Sequence, residues 1–464
     1  MVNLNIEFMG EKTIFIVITQ GIPARNILRT DVLKTLREQN DVKIVICLPG
    51  VVPDYWLKEF NYPNVIFETI KEKPFSLFRR KIFDPLLISL LHTESAYINL
   101  KFGTRKRVAS PEYMIFWIFW SRLFGNSIVM KRLFRWLEYK LYPDRHYAGL
   151  FDKYNPNLVF ATSVLAKVEA PMLKEAKRRG IKIITMPKSW DTFDKRFFRV
   201  KPDKILVQNS DLRALAVKGQ DIPEKDVVVM GFPQFDIYTD KNILKPRNEF
   251  LAGLGLDPSK KVVFFGSGGL FGPSFLDEEF ADEIYRFINS DECAEKCSFI
   301  IRAHFSEYNI GRFDKFKVAQ DTYIDNTHQI NKIFGELGDP SYGDMVQLAN
   351  LLYHSDITIN PGSTLSLDAS CYLKPVICTG FGCKTLENCI KIAYYKRVLD
   401  SGGVRLARNY EELKQLINGY LKNPDMDMEG RKRMKEHLCA NPDGFVGKRL
   451  AEFLLNEIGY VTKN

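Results

Sequence analysis

The chain has 464 residues, 45% of them hydrophobic, and a formal net charge of +10. This length allows two domains with separate cores, and no apolar run approaches the ~20 residues needed to cross a bilayer. The start of the chain, with Glu7 and Glu11, lacks the basic and apolar regions of a secretory signal. We therefore expect a cytoplasmic protein, at most peripheral on the inner face of the cell membrane.

The first 240 residues alternate between strand and helix patterns. An uninterrupted apolar run at 13–19 is typical of a strand buried on both faces of a parallel sheet. A long helical insertion, residues 84–150, interrupts the alternation. We predict a Rossmann-like acceptor domain over residues 1–240. Its further strands are expected at 42–48, 64–68, 157–162, 181–186, 204–208 and 226–230.

Residues 236–260 are polar and loosely patterned, which is typical of a linker between domains. A second alternation, residues 241–442, predicts another Rossmann-like α/β domain. Two such domains would face each other across a cleft, with ligands at the carboxyl edges of the sheets. Strands of the second domain are expected at 261–266, near 298–303, 356–360, 375–378 and 403–406.

The eight cysteines show no pairing pattern. They lack the spacing of metal ligands and have no histidine pair nearby. We expect reduced thiols, no metal site and no bound cofactor.

Residues 356–377 have the pattern strand, tight turn, helix, strand. Gly362 makes the turn, and Ser363 or Thr364 can cap a helix whose free N–H groups and positive dipole favour an anion. Asp368, about one turn further on, can accept a hydrogen bond from a hydroxyl group beside that anion. A phosphate next to a diol describes a nucleotide. The alternative is an ordinary strand–helix junction.

Three other loops fall at the same predicted edge. The first is glycine-rich and lets backbone amides approach a phosphate. The second ends a strand with an arginine and a histidine, which can donate to a diphosphate, and the third can hold a base by backbone contacts. A plain turn and a structural histidine are the alternatives. The candidates are Gly266, Ser267 and Gly268, then Arg302 and His304, then residues 338–347.

The second half resembles the donor domain of GT-B glycosyltransferases, over roughly residues 200–460. It is most similar to bacterial cell-envelope and capsule-polymer transferases and to the CDP-glycerol glycerophosphotransferase group. The intervals between Gly362, Asp368 and Pro375 match those of the peptidoglycan N-acetylglucosaminyltransferase, which has a ribose-binding Glu where this chain has Asp368. The resemblance implies a GT-B fold and a nucleotide-sugar donor.

A second motif carries the same resemblance. Arg302-Ala-His304 resembles the Arg-x-His-Pro phosphate motif of the polymer transferases, with Phe305 in place of Pro. The resemblance also implies that the terminal segment, 443–464, returns to the first domain as a helix. The alternative is a terminal helix on its own domain.

The cleft side of the first domain offers its own candidates. Gly21 and Arg25 follow the first strand, where similar transferases carry a glycine-rich loop, and Arg25 can meet a phosphate. Trp190 can stack on a sugar, and Asp191 can accept a proton from an acceptor hydroxyl. A solvated arginine and a loop-capping aspartate are the alternatives. We assign catalysis to Asp191 and His304. Other candidates are Thr162 and Ser163 for the cleft, and Glu169 and His92 for the base.

The positive charge is concentrated in residues 101–200, with 21 basic and 8 acidic residues. Within 101–145, basic residues alternate with aromatic ones, which suits an anionic membrane surface and a lipid-linked acceptor. RNA stacking uses the same residue types, but no nucleic-acid motif is present and we expect no nucleic-acid partner. The alternative is a helical core with solvated charges.

Together these features predict a metal-independent glycosyltransferase of cell-surface polysaccharide synthesis. It would move a sugar from a nucleotide-sugar donor to a lipid-linked or glycan acceptor. The donor loops contain no Asp-x-Asp pair that offers a divalent site. The alternatives are a glycerophosphotransferase or phosphosugar transferase, a non-hydrolysing nucleotide-sugar 2-epimerase, and a non-catalytic protein that binds RNA or membrane.

Overall fold

A computed structural model shows two parallel sheets with helices on their faces. The predicted α/β class with two Rossmann-like domains is confirmed. Residues that the structure describes are 12–72, 75–102, 110–166, 168–189, 192–268, 274–304, 311–326 and 338–460.

The first sheet has seven strands in the order β3-β2-β1-β4-β5-β6-β7, all parallel. The chain therefore adds strands first on one side of β1 and then on the other. These strands are β1 (Lys12–Val17), β2 (Val42–Pro49), β3 (Val65–Ile70), β4 (Leu158–Ala161), β5 (Lys182–Thr185), β6 (Lys204–Val207) and β7 (Val227–Val229).

The second sheet has six parallel strands in the order β10-β9-β8-β11-β12-β13. As in the first sheet, the chain adds strands first on one side of the central strand, β8, and then on the other side. These strands are β8 (Lys261–Gly266), β9 (Cys297–Arg302), β10 (Thr322–Asp325), β11 (Ile357–Asn360), β12 (Val376–Thr379) and β13 (Val404–Ala407).

Helices cover both faces of each sheet. In the first part of the chain they are α1 (Gly21–Leu28), α2 (Asp31–Arg37), α3 (Asp54–Glu59), α4 (Asp84–Ile88), α5 (Glu94–Phe102), α6 (Pro111–Phe124), α7 (Ile128–Leu141), α8 (Ala148–Tyr154), α9 (Glu169–Arg178) and α10 (Ser210–Gln220). After the connecting 3₁₀ segment Pro233–Thr239 come α11 (Arg247–Gly253), α12 (Ser274–Ile288), α13 (Tyr342–His354), α14 (Leu365–Cys371), α15 (Lys384–Cys389), α16 (Ala393–Asp400), α17 (Tyr410–Lys422), α18 (Met428–Arg433) and α19 (Val446–Glu457).

The central strand β1 is buried on both faces, as its uninterrupted apolar run predicts. Ile14 and Ile16 belong to the core beneath α1, α2 and α19. Phe15 and Val17 point to the opposite face, into the core beneath α8 and α9. Successive side chains of a strand alternate between faces, so both faces need apolar residues here.

Helix α19 lies on the first sheet rather than on the domain that precedes it in sequence. Leu450 and Leu454 are fully buried in the core of the first domain. Glu457, at the end of this helix, forms an ion pair with Lys182 of β5 at an N···O distance of 2.9 Å. The chain therefore crosses between the domains at 233–239 and again before α19.

The sequence pattern did not predict β10, a four-residue strand at the edge of the second sheet. Its residues are mostly half-buried, so neither a continuous apolar run nor a strong alternation marks it. None of the described helices is long and apolar enough to cross a membrane.

Candidate active site

Each sheet has one point at which the chain reverses its direction of strand addition. This point lies between β1 and β4 in the first sheet and between β8 and β11 in the second. Ligands of open α/β sheets bind beyond the carboxyl ends of strands at such a point. The end of β8 and the start of α14 are in contact there, since a Cβ on Gly266 would lie 2.3 Å from the Leu365 side chain.

A cavity of about 90 Å³ lies at this edge, between the second sheet and α1 of the first domain. Arg25 of α1 and Tyr238 of the connecting segment line one side. The sequence-predicted residues that line the other side are Gly266, Ser267, Arg302, His304, Ser363, Thr364 and Asp368.

The turn after β11 is held by Asn360, a side chain that was not among the sequence-predicted site residues. Asn360 Oδ1 accepts hydrogen bonds from the Gly362 and Ser363 amides, at 3.1 and 2.7 Å. Ser363 Oγ accepts from the Leu365 amide at 3.2 Å, so Ser363 rather than Thr364 closes the start of α14. Two of the amides expected to face an anion are therefore already bonded within the chain.

The loop after β8 is held in a similar way. The Gly268 amide donates to Asp277 Oδ1 at 3.0 Å, and a Cβ at this position would lie 2.8 Å from Pro361. Ser267 Oγ accepts the His304 amide at 2.9 Å. Gly268 thus serves the close packing of two loops, and Ser267 positions His304 at the cavity.

Arg302 lies at the floor of the cavity between two buried carboxylates. Its guanidinium donates to Asp325 of β10 and, at 2.7 Å, to Asp344 of α13. Burial alone would lower the pKa of Arg302, but the two carboxylates raise it above its ordinary value. Arg302 is engaged by both carboxylates and is therefore not a free cation for a phosphate.

Asp368 and Tyr238 form the buried centre of the site. The Tyr238 hydroxyl donates to Asp368 Oδ1 at 2.6 Å. Burial raises the pKa of Asp368, while Arg25, Tyr238 and Arg302 act to lower it. Tyr238 stands in the linker and carries no motif. Asp325 of β10 belongs to no motif either, whereas Asp344 falls in the segment 338–347 that the sequence singled out.

The first-domain side of the cleft is built around β4 and α9. Thr162 Oγ donates to the Val17 carbonyl at 2.7 Å, and the Ser163 amide donates to Glu169 Oε1 at 3.0 Å. Glu169 is fully buried, and its Oε2 has no hydrogen-bond partner among the described residues. Burial raises its pKa to about 8, against the lowering effect of three backbone amides and Lys188.

The two domains meet directly beside this cleft. A Cβ on Gly21 would lie 1.8 Å from the carbonyl oxygen of Gly338. Asp339 reaches into the first domain, where Arg29 Nη1 donates to it at 2.6 Å. Gly338 and Asp339 therefore fasten the domains together, where the sequence suggested contacts to a base.

His92, a sequence-predicted candidate for the base, does not line the cavity. His92 Nδ1 is 2.8 Å from Ser121 Oγ, and its ring stacks on Trp117 in the helical insertion. Trp190 and Asp191 lie outside the described residues. Among the described residues, no group of three His, Cys, Asp or Glu side chains could hold a metal ion.

Comparison with solved structures assigns the fold. The chain matches a putative UDP-N-acetylglucosamine 2-epimerase from Listeria monocytogenes with a TM-score of 0.57 and 10% identity, over 98% of this chain and 99% of that one. It matches UDP-GlcNAc 2-epimerase from Neisseria meningitidis with a TM-score of 0.53 and 12% identity, over 96% and 100%.

A third match is the wall teichoic acid polymerase TagF, with a TM-score of 0.51 and 10% identity, over 97% and 89% of the two chains. These matches confirm that this chain has the GT-B fold that the sequence motifs resemble. The sequence matches no protein-family model, and the search of curated proteins found no match either.

Proposed function

We propose that this protein is a GT-B enzyme that transfers a sugar from a nucleotide-sugar donor to a lipid-linked or glycan acceptor in cell-surface polysaccharide synthesis. The observation that carries the proposal is the cavity in which Arg25 of one domain faces His304 and Asp368 of the other. It lies where nucleotides bind in open α/β sheets. Two structures of the same fold are named as complexes with UDP and with UDP-GlcNAc, which supports a donor of this class.

The residues of the cavity have distinct proposed roles. Asp368 accepts a hydrogen bond from a hydroxyl group of the nucleotide ribose. This bond either replaces the one from the Tyr238 hydroxyl or is made in addition to it. Arg25 and His304 stand next to the diphosphate and stabilise the negative charge that grows on the leaving group. Arg302 is a positioning residue, since its ion pairs with Asp325 and Asp344 join the end of β9 to β10 and to α13.

Transfer also needs a base for the acceptor hydroxyl. We propose Asp191 for this role, with Trp190 stacked on a sugar ring, as the sequence suggests. We also propose that no divalent cation takes part, since Arg25 supplies positive charge and His304 a hydrogen-bond donor at the leaving group. Activity that persists in EDTA would support this point, and activity that returns only with added Mg²⁺ would contradict it.

The helical insertion is proposed to bring the enzyme to a lipid-linked acceptor. Ile115 and Phe119 of α6 are 70% and 67% exposed, and Val129 and Trp136 of α7 are 75% and 56% exposed. Each pair lies on one face of its helix, at spacings of four and seven residues. Exposed basic side chains accompany them at Arg122, Arg132 and Lys140. Apolar and basic groups on one surface suit an anionic bilayer.

A nucleotide-sugar 2-epimerase is the second candidate, because several matched structures carry that name and are covered almost completely by this chain. TagF similarly supports a donor such as CDP-glycerol. Product formation distinguishes these activities. An epimerase converts its donor without an acceptor, a sugar transferase releases nucleoside diphosphate only as the acceptor is consumed, and a glycerophosphotransferase releases nucleoside monophosphate.

The test is an incubation with UDP-, GDP-, CDP- and TDP-linked sugars and with CDP-glycerol, each with and without a polyprenyl-diphosphate-linked sugar as acceptor. Anion-exchange chromatography measures the released nucleotide, and NMR measures any epimer. The proposal predicts acceptor-dependent release of one nucleoside diphosphate, and a large loss in His304→Ala. Epimer formation without acceptor would replace it by the second candidate.

A further inference from the structure

A second, larger cavity of about 1010 Å³ lies on the flank of the second domain. It is bounded by the linker, the end of α13, the turn between α14 and β12, and residues just before α19. Tyr238 lines this cavity and also the candidate active site. One buried side chain therefore forms part of the wall of both cavities.

The lining of this cavity is strongly basic. It contains four lysines and one arginine and no aspartate or glutamate. Arg247 is engaged with the carbonyl oxygens of Pro258, His354 and Lys260, and Lys245 lies 3.9 Å from Glu249. The lining lysines without a salt bridge to any described carboxylate are Lys241, Lys374 and Lys435.

Lys374 shows that the positive charge here is poorly balanced. Burial lowers the pKa of its ammonium group, Asp356 raises it, and Arg247 lowers it further. Asp356 itself already contacts Arg247 at 3.4 Å and Lys261 at 3.4 Å. A bound anion would add the missing negative charge.

Aromatic rings complete the wall. Tyr353 and Tyr372 pack edge to face with ring centroids 5.3 Å apart, and the Lys374 ammonium lies 5.6 Å from the Tyr353 ring centroid. The Tyr372 hydroxyl is buried and has no hydrogen-bond partner among the described residues. A buried hydroxyl without a partner is costly, and a ligand oxygen beside it would remove that cost.

We propose that this cavity is a second binding site, distinct from the active site, for a phosphorylated ligand held by Lys374 and Lys435 with the Tyr372 hydroxyl as a hydrogen-bond donor. Ammonium groups and a hydroxyl donor are suited to phosphate oxygens, and the exposed face of Tyr353 suits a ring or a carbon chain attached to the phosphate. The chemistry is common to a nucleotide and to a phosphodiester polymer. The site does not depend on which reaction the active site carries out.

The test combines calorimetry with lysine footprinting. Inorganic pyrophosphate, UDP and a synthetic glycerol phosphate hexamer are titrated into the full chain. Lysines are then acetylated in the presence of each probe and mapped by mass spectrometry. We expect protection of Lys374 and Lys435 by at least one probe, and no protection of Lys315 and Lys317, which are exposed on the same domain. The strongest probe identifies the source, nucleotide or polymer.

Two variants sharpen the result. The double substitution Lys374→Gln/Lys435→Gln is expected to weaken binding at this site at least tenfold, while Lys315→Gln/Lys317→Gln, which removes the same charge, leaves it unchanged. Tyr372→Phe removes one hydroxyl only and should weaken binding several-fold without loss of folding. Absence of protection by all three probes, or equal weakening in both double variants, would overturn the proposal. Nucleotide-sugar binding at Asp368 should persist in Lys374→Gln/Lys435→Gln.

Discussion

Arg29 in the first domain and Asp339 in the second form a bidentate ion pair, with N···O distances of 2.6 and 3.1 Å. The Tyr55 hydroxyl and the Trp56 indole donate to the same carboxylate at 2.8 and 2.6 Å. The Asp339 side chain is fully buried. Four hydrogen bonds across the domain boundary hold the cleft at its present width, beside the cavity that we propose as the active site.

Asp339→Asn should therefore destabilise the protein. The substitution keeps the size of the side chain but removes one of the two carboxylates that face buried Arg29. Glu59 still accepts two hydrogen bonds of 2.8 Å from Arg29, so we expect a loss of about 1–3 kcal/mol. Urea unfolding measures the change in free energy. Asp314→Asn, at an exposed position of the second domain, is the control. A loss of less than about 0.5 kcal/mol for Asp339→Asn, the range of ordinary surface changes, would show that the pair does not fasten the domains.

Gly21→Ala tests the same boundary by sterics. Its new methyl group would meet the Gly338 carbonyl at 1.8 Å, so the backbone segments of the two domains must separate. We expect a loss of about 1–3 kcal/mol and weaker donor binding. Gly149→Ala is the matched control, since a Cβ there has no neighbour within 4 Å, and it should stabilise helix α8 by about 0.5–1 kcal/mol. Equal effects of the two substitutions would contradict the contact.

The fold could be predicted because buried parallel strands have continuous apolar runs, as at β1 and β8. The positions of the donor candidates followed from the same logic, since loops that follow such strands share one edge. Their contacts could not be predicted, because they come from residues distant in sequence. Asp325 and Asp344 neutralise Arg302 across 23 and 42 residues. Asn360 before Pro-Gly-Ser was a readable signal, since Asn side chains bond amides just ahead of them in turns.

Glu169→Gln should flatten the pH dependence of stability. The buried carboxyl keeps its proton up to a pKa of about 8, whereas its usual value is 4.5. Between these values the folded state binds the proton and the unfolded state does not, so this group lowers the free energy of unfolding by about 1.4 kcal/mol per pH unit as pH rises.

Urea titrations across that pH window measure the slope for the native protein, for Glu169→Gln and for Glu38→Gln, an exposed control. We expect a shallower slope in Glu169→Gln alone. Parallel slopes for all three proteins would mean that Glu169 does not retain its proton.

The double substitution Phe119→Ser/Trp136→Ser should weaken binding to vesicles of anionic phospholipid. Burying one large apolar side chain contributes about 1.5–3 kcal/mol, so the loss of two should lower the partition coefficient at least tenfold. Vesicle sedimentation measures the bound fraction. Val318→Ser, at a 93% exposed position of the second domain, should leave binding unchanged. Equal binding of all three proteins would remove the membrane role of α6 and α7.

The central claim is that a nucleotide-sugar binds at the edge where β8, β9 and β11 end. Thermal and chemical unfolding with each donor in hundredfold excess over its Kd measures this most directly, since binding to the native state then adds about 2.7 kcal/mol of stability. We predict that one donor stabilises the native protein and the Asp314→Asn control equally. Asp368→Asn and His304→Ala should lose most of that stabilisation. An undiminished increase in both variants would contradict the account.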